Sequence, residues 1–465
     1  MKLAIVGGGP SAFYVASRLL SRMPDAQRLR VHMFDRLWAP HGLVRYGVAP
    51  DHPEVKNCTH KFDQVAEDPR FRFFGNVNVG ARSPDGFPHV LQLPLADLHA
   101  HYSHLLFASG CTLPALHSAL SESPWCMPAL GFVHWYTQHP AAPPPLPLHT
   151  LDHVSLIGNG NVALDVARIL LCPPALLEKY DVPQSVLDVL ARSTVRHVSI
   201  IARRGPLHAA FTAKELRELI NLPDVAMAPL DPALLAVPPG VTASRQQTRI
   251  LQLLAQGSRA AHSSTRKTWS LEFFKTPTGL DTAGPAPRLL LAHTALDAQQ
   301  RAVPAGPAPP LPTSLVIPSL GFRAEPAAPF FDPALGHLRT SAGRVLGADG
   351  RAVRGVYASG WAAMGARGVL AATMMDAYGV ADQIAADAVA GSEGPPVGVE
   401  QVMNPAPADD QPPPLVHDAC AAGRVVQYAD WKRVDAEEVR RGAALGKERE
   451  RMRWEEAEAF LRGNA

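Results

Sequence analysis

The chain lacks any apolar run close to the roughly 18 residues that a membrane-crossing helix requires. It also lacks a charge bias: 44 Lys and Arg against 42 Asp and Glu leave a net charge of +2, which argues for neither nucleic acid nor a membrane surface as partner. Five cysteines (Cys58, Cys111, Cys126, Cys172, Cys420) are scattered, with no CxxC among them. That excludes a disulfide framework or metal knuckle as the organising principle, and the thiols read as those of a reducing compartment. No metal site is expected. No signal or transit segment is legible either, because the chain opens MKLAIVGGG and its first residues already read as a strand. What is present is ordinary for a soluble globular protein, 47% hydrophobic and 18% charged. At 465 residues it has room for two or three domains. Proline, at 45 residues, is abundant and gathers in loops.

The chemistry begins at Val154–Leu170, VSLIGNGNVALDVARIL. A short apolar strand (Val154, Leu156, Ile157) runs into a glycine turn and then an amphipathic helix. Gly158 and Gly160 permit the tight turn and close approach of backbone to a pyrophosphate, while Ala163 lets helix and strand touch. The helix starting at Asn161 points free N–H groups and its positive dipole end at the phosphates. A second such turn stands at the N-terminus: strand Leu3–Val6, then Gly7-Gly8-Gly9-Pro10-Ser11-Ala12, then a helix to about Arg22. The next strand, Val31–Phe34, ends in Asp35, where an acid would bind the hydroxyls of an adenosine ribose. After the second turn the corresponding strand, His197–Ile201, is followed instead by Arg203-Arg204-Gly205. Two guanidinium forks at that position match a 2′-phosphate and so favour NADP over NAD.

Other stretches are less specific. Residues 41–56, HGLVRYGVAPDHPEVK, have no helical or strand period and read as a long ordered loop, a candidate for lining a flavin. Thr212 and Glu215 have capping-box spacing at the start of a helix over Phe211–Leu222. Arg245 and Arg249, four apart, share one face if Thr242–Leu254 is helical. Short strands are expected at Ser270–Phe274, Arg288–Ala292, Ser314–Gly321 and Gly355–Gly360, with a helix over Gly368–Val380. Glu393–Val416 reads as a Pro/Asp-rich linker, and Trp431–Arg453 as charged and helical.

Four segments narrow the identity: GLVRYGVAPDHPEVKN (Gly42–Asn57), GNGNVALDVARILL (Gly158–Leu171), ARRGPLHAAFTAKELREL (Ala202–Leu219) and DWKRVDAEEVRRG (Asp430–Gly442). They closely resemble the adrenodoxin reductase family, the mitochondrial-type ferredoxin–NADP reductases, and the likeness runs through essentially the whole chain. The resemblance implies an α/β protein of two Rossmann-like dinucleotide-binding domains. An FAD domain (1–110 and 315–465, with a C-terminal extension) would be split by an inserted NADP domain (111–314). It also implies that Gly7, Gly9, Ser11, Ala12, Asp35, Leu43, Val79, Trp361, Gly368, Val369 and Leu370 hold FAD. Asn159, Gly160, Asn161, Val162, Arg203, Arg204 and Glu215 would hold NADP(H), with Gly368 near the nicotinamide. His52, in the APDHP loop, is a candidate for tuning proton balance, and a plain loop histidine is an equal alternative. The implied partner is a small acidic [2Fe–2S] ferredoxin, with Arg245 and Arg249 as docking residues. The implied state is a monomer in the mitochondrial matrix, with a cytoplasmic location as the alternative.

One departure stands out. The family typically carries Lys-Arg shortly after its Gly-Trp element, whereas this chain reads Gly360-Trp361-Ala362-Ala363-Met364-Gly365-Ala366-Arg367-Gly368. Two positive charges are missing and one Arg follows later. An NADPH flavoprotein with another acceptor, such as a diaphorase, and a non-catalytic NADPH-binding scaffold are the competing readings. A disulfide reductase is excluded by the missing CxxC.

Overall fold

The computed structural model describes residues 1–23, 29–81, 87, 89–284, 286–368, 370–390 and 402–463. Its contacts divide the chain into two compact units. The first comprises Met1–Leu113, Thr137–Ala141 and Phe322–Ala465; the second comprises Pro114–Tyr136 and Ala142–Gly321.

The first unit is built on a seven-stranded sheet. In spatial order its strands are Thr340–Ser341, Arg344–Leu346, Ala352–Ala358, His104–Phe107, Lys2–Val6, Arg30–Asp35 and Phe71–Gly75. The last five run parallel. Such strands are covered on both faces and so read as continuous apolar runs: Leu3, Ala4 and Ile5 are fully buried on successive, opposite sides. Helix Pro10–Arg22, with Pro at its first position, packs on one face together with Leu370–Ala390. Phe13, Phe62 and Phe71 fill the space between helix and sheet.

The second unit has a five-stranded parallel sheet in the order Val225–Met227, Lys267–Phe273, His197–Ala202, His153–Ile157, Leu315–Pro318. Helix Asn161–Leu171 buries Ala163, Leu164, Val166 and Ala167 against it. The opposite face receives an antiparallel meander of Lys275–Asp281, Arg288–Leu296 and Ala302–Pro312. Leu289 and Leu291 of the meander meet Ile157, Ile201 and Val316 of the sheet. Of the strands expected from sequence only Arg288–Ala292 falls in the meander, since Ser270–Phe274 lies on the parallel strand Lys267–Phe273; the meander's third strand carries Pro304, Pro307, Pro309, Pro310 and Pro312. Proline is tolerated there because the strand pairs on one side only, at the sheet edge.

Two further differences matter. The loop over 41–56 contains a one-turn helix, Leu43–Tyr46, and leads into a 3-10 helix, Pro53–Cys58. The stretch Trp431–Arg453, expected to be helical throughout, is helix only to Ala444, within Tyr428–Ala444, and a separate helix, Trp454–Leu461, follows it. Between them the chain doubles back so tightly that a Cβ on Gly442 would lie 2.3 Å from Arg449 Cα.

Candidate functional site

Each unit carries one glycine turn, and the two are built alike. Gly7 has φ +103° and Gly158 φ +114°, a region that side chains disfavour. A Cβ on Gly7 would lie 2.6 Å from the carbonyl oxygen of Ala108, and one on Gly158 would lie 2.3 Å from that of Ser319. These two glycines let the turn pass against a neighbouring strand. Gly9 and Gly160 differ: a Cβ there would meet nothing within 4 Å. They face open space at the N-termini of Pro10–Arg22 and Asn161–Leu171, and no side chain caps either helix. Uncapped first-turn N–H groups beside a cleared glycine make a cradle for a pyrophosphate.

In the first unit the chain folds back over its turn. His41 N–H donates to Gly8 O at 2.8 Å, and Gly42 sits so close that a Cβ on it would be 3.0 Å from Gly9 Cα. Leu43 follows and is half-buried, as is Val79 at the end of the short strand Val77–Val79. Asp35, at the tip of its strand, is 7% exposed. Its carboxylate accepts the backbone N–H groups of Gly8 at 2.7 Å and Leu37 at 2.9 Å. Burial pushes its carboxyl up to about 6 against the pull of those amides. The acid therefore braces the glycine turn directly, whatever else it binds. His52 is buried and its backbone N–H donates to Ala49 O at 3.0 Å.

The Gly360–Trp361 turn closes on the same place. A Cβ on Gly360 would lie 2.7 Å from Ser11 Oγ. Asp376, on helix Leu370–Ala390, accepts from Gly360 N–H at 2.7 Å and from Ser359 Oγ at 2.9 Å. Trp361 stacks on Phe322 with centroids 5.8 Å apart, and its indole N–H donates to Arg367 O at 3.2 Å. Cys111 Sγ donates to Trp361 O at 3.2 Å, and burial pushes its thiol up to about 12. Asp376 and Cys111 were not legible as site residues: Cys111 acts on backbone 250 positions away, and Asp376 acts from inside a helix on a turn 16 positions before it. Ala362 and Ala363 are buried, whereas Arg367 and Gly368 are exposed. Leu370 opens the long helix; Val369 lies outside the described residues.

In the second unit, Asn161 Oδ1 accepts from Thr212 N–H at 2.8 Å and ties two helix N-termini together. Thr212 does not form the expected capping box. Its hydroxyl donates to the Glu215 carboxylate, and no side chain caps helix Ala213–Ile220. Val162 is half-buried in the first turn of its helix. Asn159 Nδ2 is buried with no hydrogen-bond partner among the described residues, a donor left for something else. Arg203 is exposed and Arg204 half-buried just past strand His197–Ala202; neither guanidinium forms an ion pair among the described residues. Thr294 Oγ1 donates to Arg203 O at 2.8 Å and fixes that backbone. The orphaned amide, the cleared Gly160 and the two open guanidinium groups fit a phosphorylated dinucleotide. Arg245 and Arg249 lie on helix Arg245–Gln256, both exposed, with Arg249 donating to Gln252 at 3.3 Å.

Residues 4–54 match the model of a family described as FAD-NAD(P)-binding. The chain is 36% identical to the mitochondrial NADPH:adrenodoxin oxidoreductase of Bos taurus, covering 97% of this chain and 90% of that one. It is 34% identical to the NADPH-ferredoxin reductase FprA of Mycobacterium tuberculosis, over 97% and 96%. The solved structure of Mycobacterium tuberculosis FprA in complex with NADPH superposes with a TM-score of 0.83 at 32% identity, covering 99% of each chain. Identity at this level across nearly the full length of both partners means that the chain belongs to the family of NADPH:adrenodoxin oxidoreductases and NADPH-ferredoxin reductases.

Proposed function

We infer that this protein is an FAD-containing NADPH:ferredoxin oxidoreductase, delivering electrons to a small acidic [2Fe–2S] ferredoxin that feeds cytochrome P450 or iron–sulfur and haem biosynthesis. The observation that carries the reading is the pair of uncapped glycine cradles, of which only the second is followed by two arginines that form no ion pair among the described residues. FAD is assigned to the first cradle and NADP(H) to the second. The chemistry such a pair supplies is hydride transfer from nicotinamide to flavin and release of single electrons to an acceptor.

The side chains of this protein bind and position. Gly9 and Gly160 admit the pyrophosphates, and the helix N-termini behind them supply N–H donors. Asp35 holds the first turn in shape. Asp376 and Cys111 fix the Gly360–Trp361 turn, so Trp361 is presented in one orientation. Arg203 and Arg204 receive the 2′-phosphate, and Asn159 Nδ2 offers a further donor. Glu215, oriented by Thr212, is assigned to the same coenzyme. Arg245 and Arg249 are assigned to ferredoxin docking, where exposed cations speed encounter with an acidic partner. No helix among the described residues is long and apolar enough to cross a membrane. The animal relatives are named as mitochondrial and the Mycobacterium tuberculosis relative is not; we place this chain with the former, and fractionation of the source cells tests it.

The deciding experiment is anaerobic titration of the purified protein. It should be yellow, bleach with NADPH far faster than with NADH, and reduce cytochrome c only when a ferredoxin is added. A colourless protein overturns the reading in favour of a scaffold. Cytochrome c reduction without ferredoxin overturns the acceptor assignment in favour of a diaphorase.

A further inference from the structure

Helix Leu43–Tyr46 carries Leu43 beside the first glycine turn, yet four residues cannot hold themselves in place. Nucleating a helix fixes several residues for one hydrogen bond, and this one ends once its first turn is closed. Its position must come from what packs on it, and that is a segment almost four hundred positions away in sequence.

Arg45 projects from this helix into the core with a side chain 6% exposed and meets Glu438, which is 0% exposed. The contact is a two-pronged fork: Nη1 to Oε2 at 2.9 Å and Nη2 to Oε1 at 2.7 Å. Glu438 also accepts Met452 N–H at 2.9 Å and Arg449 Nη1 at 3.3 Å, so the buried carboxylate is saturated. Trp38, Tyr46 and Trp431 surround the guanidinium, their centroids 5.4, 5.3 and 4.8 Å from it. The C-terminal segment reaches the backbone of the same residue as well: Arg451 Nη1 donates to Arg45 O and Thr137 O, each at 2.7 Å. Arg45 is thus gripped by side chain and by carbonyl at once. Buried ion pairs add little net stability compared with apolar packing, and their best-attested use is to fix one arrangement among several.

We propose that Glu438 is a positioning residue for the flavin loop, and that the segment from Tyr428 to Arg453 is a third component of the FAD cradle; this rests on the assignment of FAD to the first unit. The fork holds Arg45, Arg45 holds the one-turn helix, and the helix sets Leu43 and the Gly42 backbone against Gly9. By linkage, whatever FAD gains from the docked segment the segment gains from FAD.

The test uses the full-length holoenzyme and Glu438→Gln, with Glu437→Gln as control; Glu437 lies on the same helix and pairs with Arg440 and Arg441 instead. In Glu438→Gln the FAD dissociation constant should rise about tenfold or more, the order expected from one lost charge-assisted hydrogen bond. The bound-flavin absorption bands should broaden, excess FAD should restore kcat, and the KM for NADPH should stay unchanged. In the unmutated protein, stripping FAD should speed proteolytic cutting within 428–453. If Glu438→Gln does not fold, Arg451→Met, which removes the donor to both carbonyls and keeps much of the side chain's bulk, carries the same expectations. A lower melting temperature with FAD affinity, spectrum and proteolysis all unchanged would overturn the proposal alone. An unmutated chain that binds no FAD would overturn it together with the functional reading.

Discussion

Asp35 Oδ2 accepts the backbone N–H of Gly8 at 2.7 Å, so the acid that ends one strand holds the phosphate turn that follows another. Leu37 N–H occupies the other oxygen at 2.9 Å. Burial raises this carboxyl from 3.8 to about 6. An acid raised in this way binds its proton more tightly in the folded chain than in the unfolded one. Between pH 3.8 and about 6 the folded state holds more protons, so this group's contribution to stability falls as pH rises through that window. Above it the carboxylate is carried charged, and both amides are satisfied by that charge.

Asp35→Asn should separate these effects. The amide offers one oxygen for two N–H donors, so one donor is orphaned, which near pH 8 should weaken FAD binding about tenfold. Below pH 6 the unmutated side chain is itself protonated in the cofactor-free protein, and the gap between the two proteins should narrow. The check is the FAD dissociation constant measured from about pH 5 to pH 8; a gap independent of pH would count against the assignment.

Arg203 and Arg204 should set coenzyme choice. Each has an open guanidinium at the end of strand His197–Ala202, and a charge-assisted bond to a phosphate is worth about 1.5–3 kcal/mol. Replacing either by Gln should raise the KM for NADPH by roughly 10- to 100-fold and leave that for NADH nearly unchanged. Steady-state kinetics with both coenzymes decides it, and an equal loss with each would place the arginines elsewhere.

Both glycine turns and the strand-end positions of Asp35 and the Arg203–Arg204 pair were readable in the sequence because those features are local, whereas the bracing of Gly8 by Asp35 was not read. A glycine pattern at a strand–helix junction or a strand-end charge is expressed within a few residues of the motif, even though what each glycine clears, Ala108 O or Ser319 O, lies far away in sequence. The Arg45–Glu438 fork was not readable: its halves are 393 positions apart, and each alone looks like a solvated charge on a helix. Cys111 was hidden for the same reason, 250 positions from Trp361 O, and Asp376, only 16 positions from Gly360, because it reads as one more polar residue on a long helix. The strand Ala302–Pro312 was missed for a different one. Its prolines argue against a strand in general, and only its place at a sheet edge makes them harmless.

The second glycine turn offers a matched pair of substitutions. Gly158→Ala places a methyl 2.3 Å from Ser319 O at φ +114°, so backbone must move and the second unit should lose stability, on the order of 2 kcal/mol or more. Gly160→Ala meets no protein atom within 4 Å and has an ordinary φ of -92°. It should melt like the unmutated protein and still bind NADPH poorly, because the methyl fills the pyrophosphate space. Thermal unfolding alongside NADPH binding distinguishes the two, and a Gly160→Ala protein with normal NADPH affinity would remove the coenzyme from this turn.

The docking role proposed for Arg245 and Arg249 concerns the acceptor rather than the coenzyme. Ser244 and Gln247 form a complete capping box at the start of their helix, and Gln247 Nε2 also donates to Leu207 O at 2.8 Å, so the helix is held independently of both arginines. Among the described residues Arg249 donates only to Gln252, at 3.3 Å, an exposed contact of little consequence for stability. Charge reversal, Arg245→Glu with Arg249→Glu, should therefore leave the melting temperature and NADPH–ferricyanide turnover intact. Ferredoxin-dependent cytochrome c reduction should fall about tenfold at low ionic strength through a raised KM for ferredoxin. The deficit should shrink as salt screens the repulsion, since exposed charges interact over about 10 Å at 0.1 M and less above it. Equal loss of both activities, or a ferredoxin KM that does not respond to salt, would show that the carrier docks on another face.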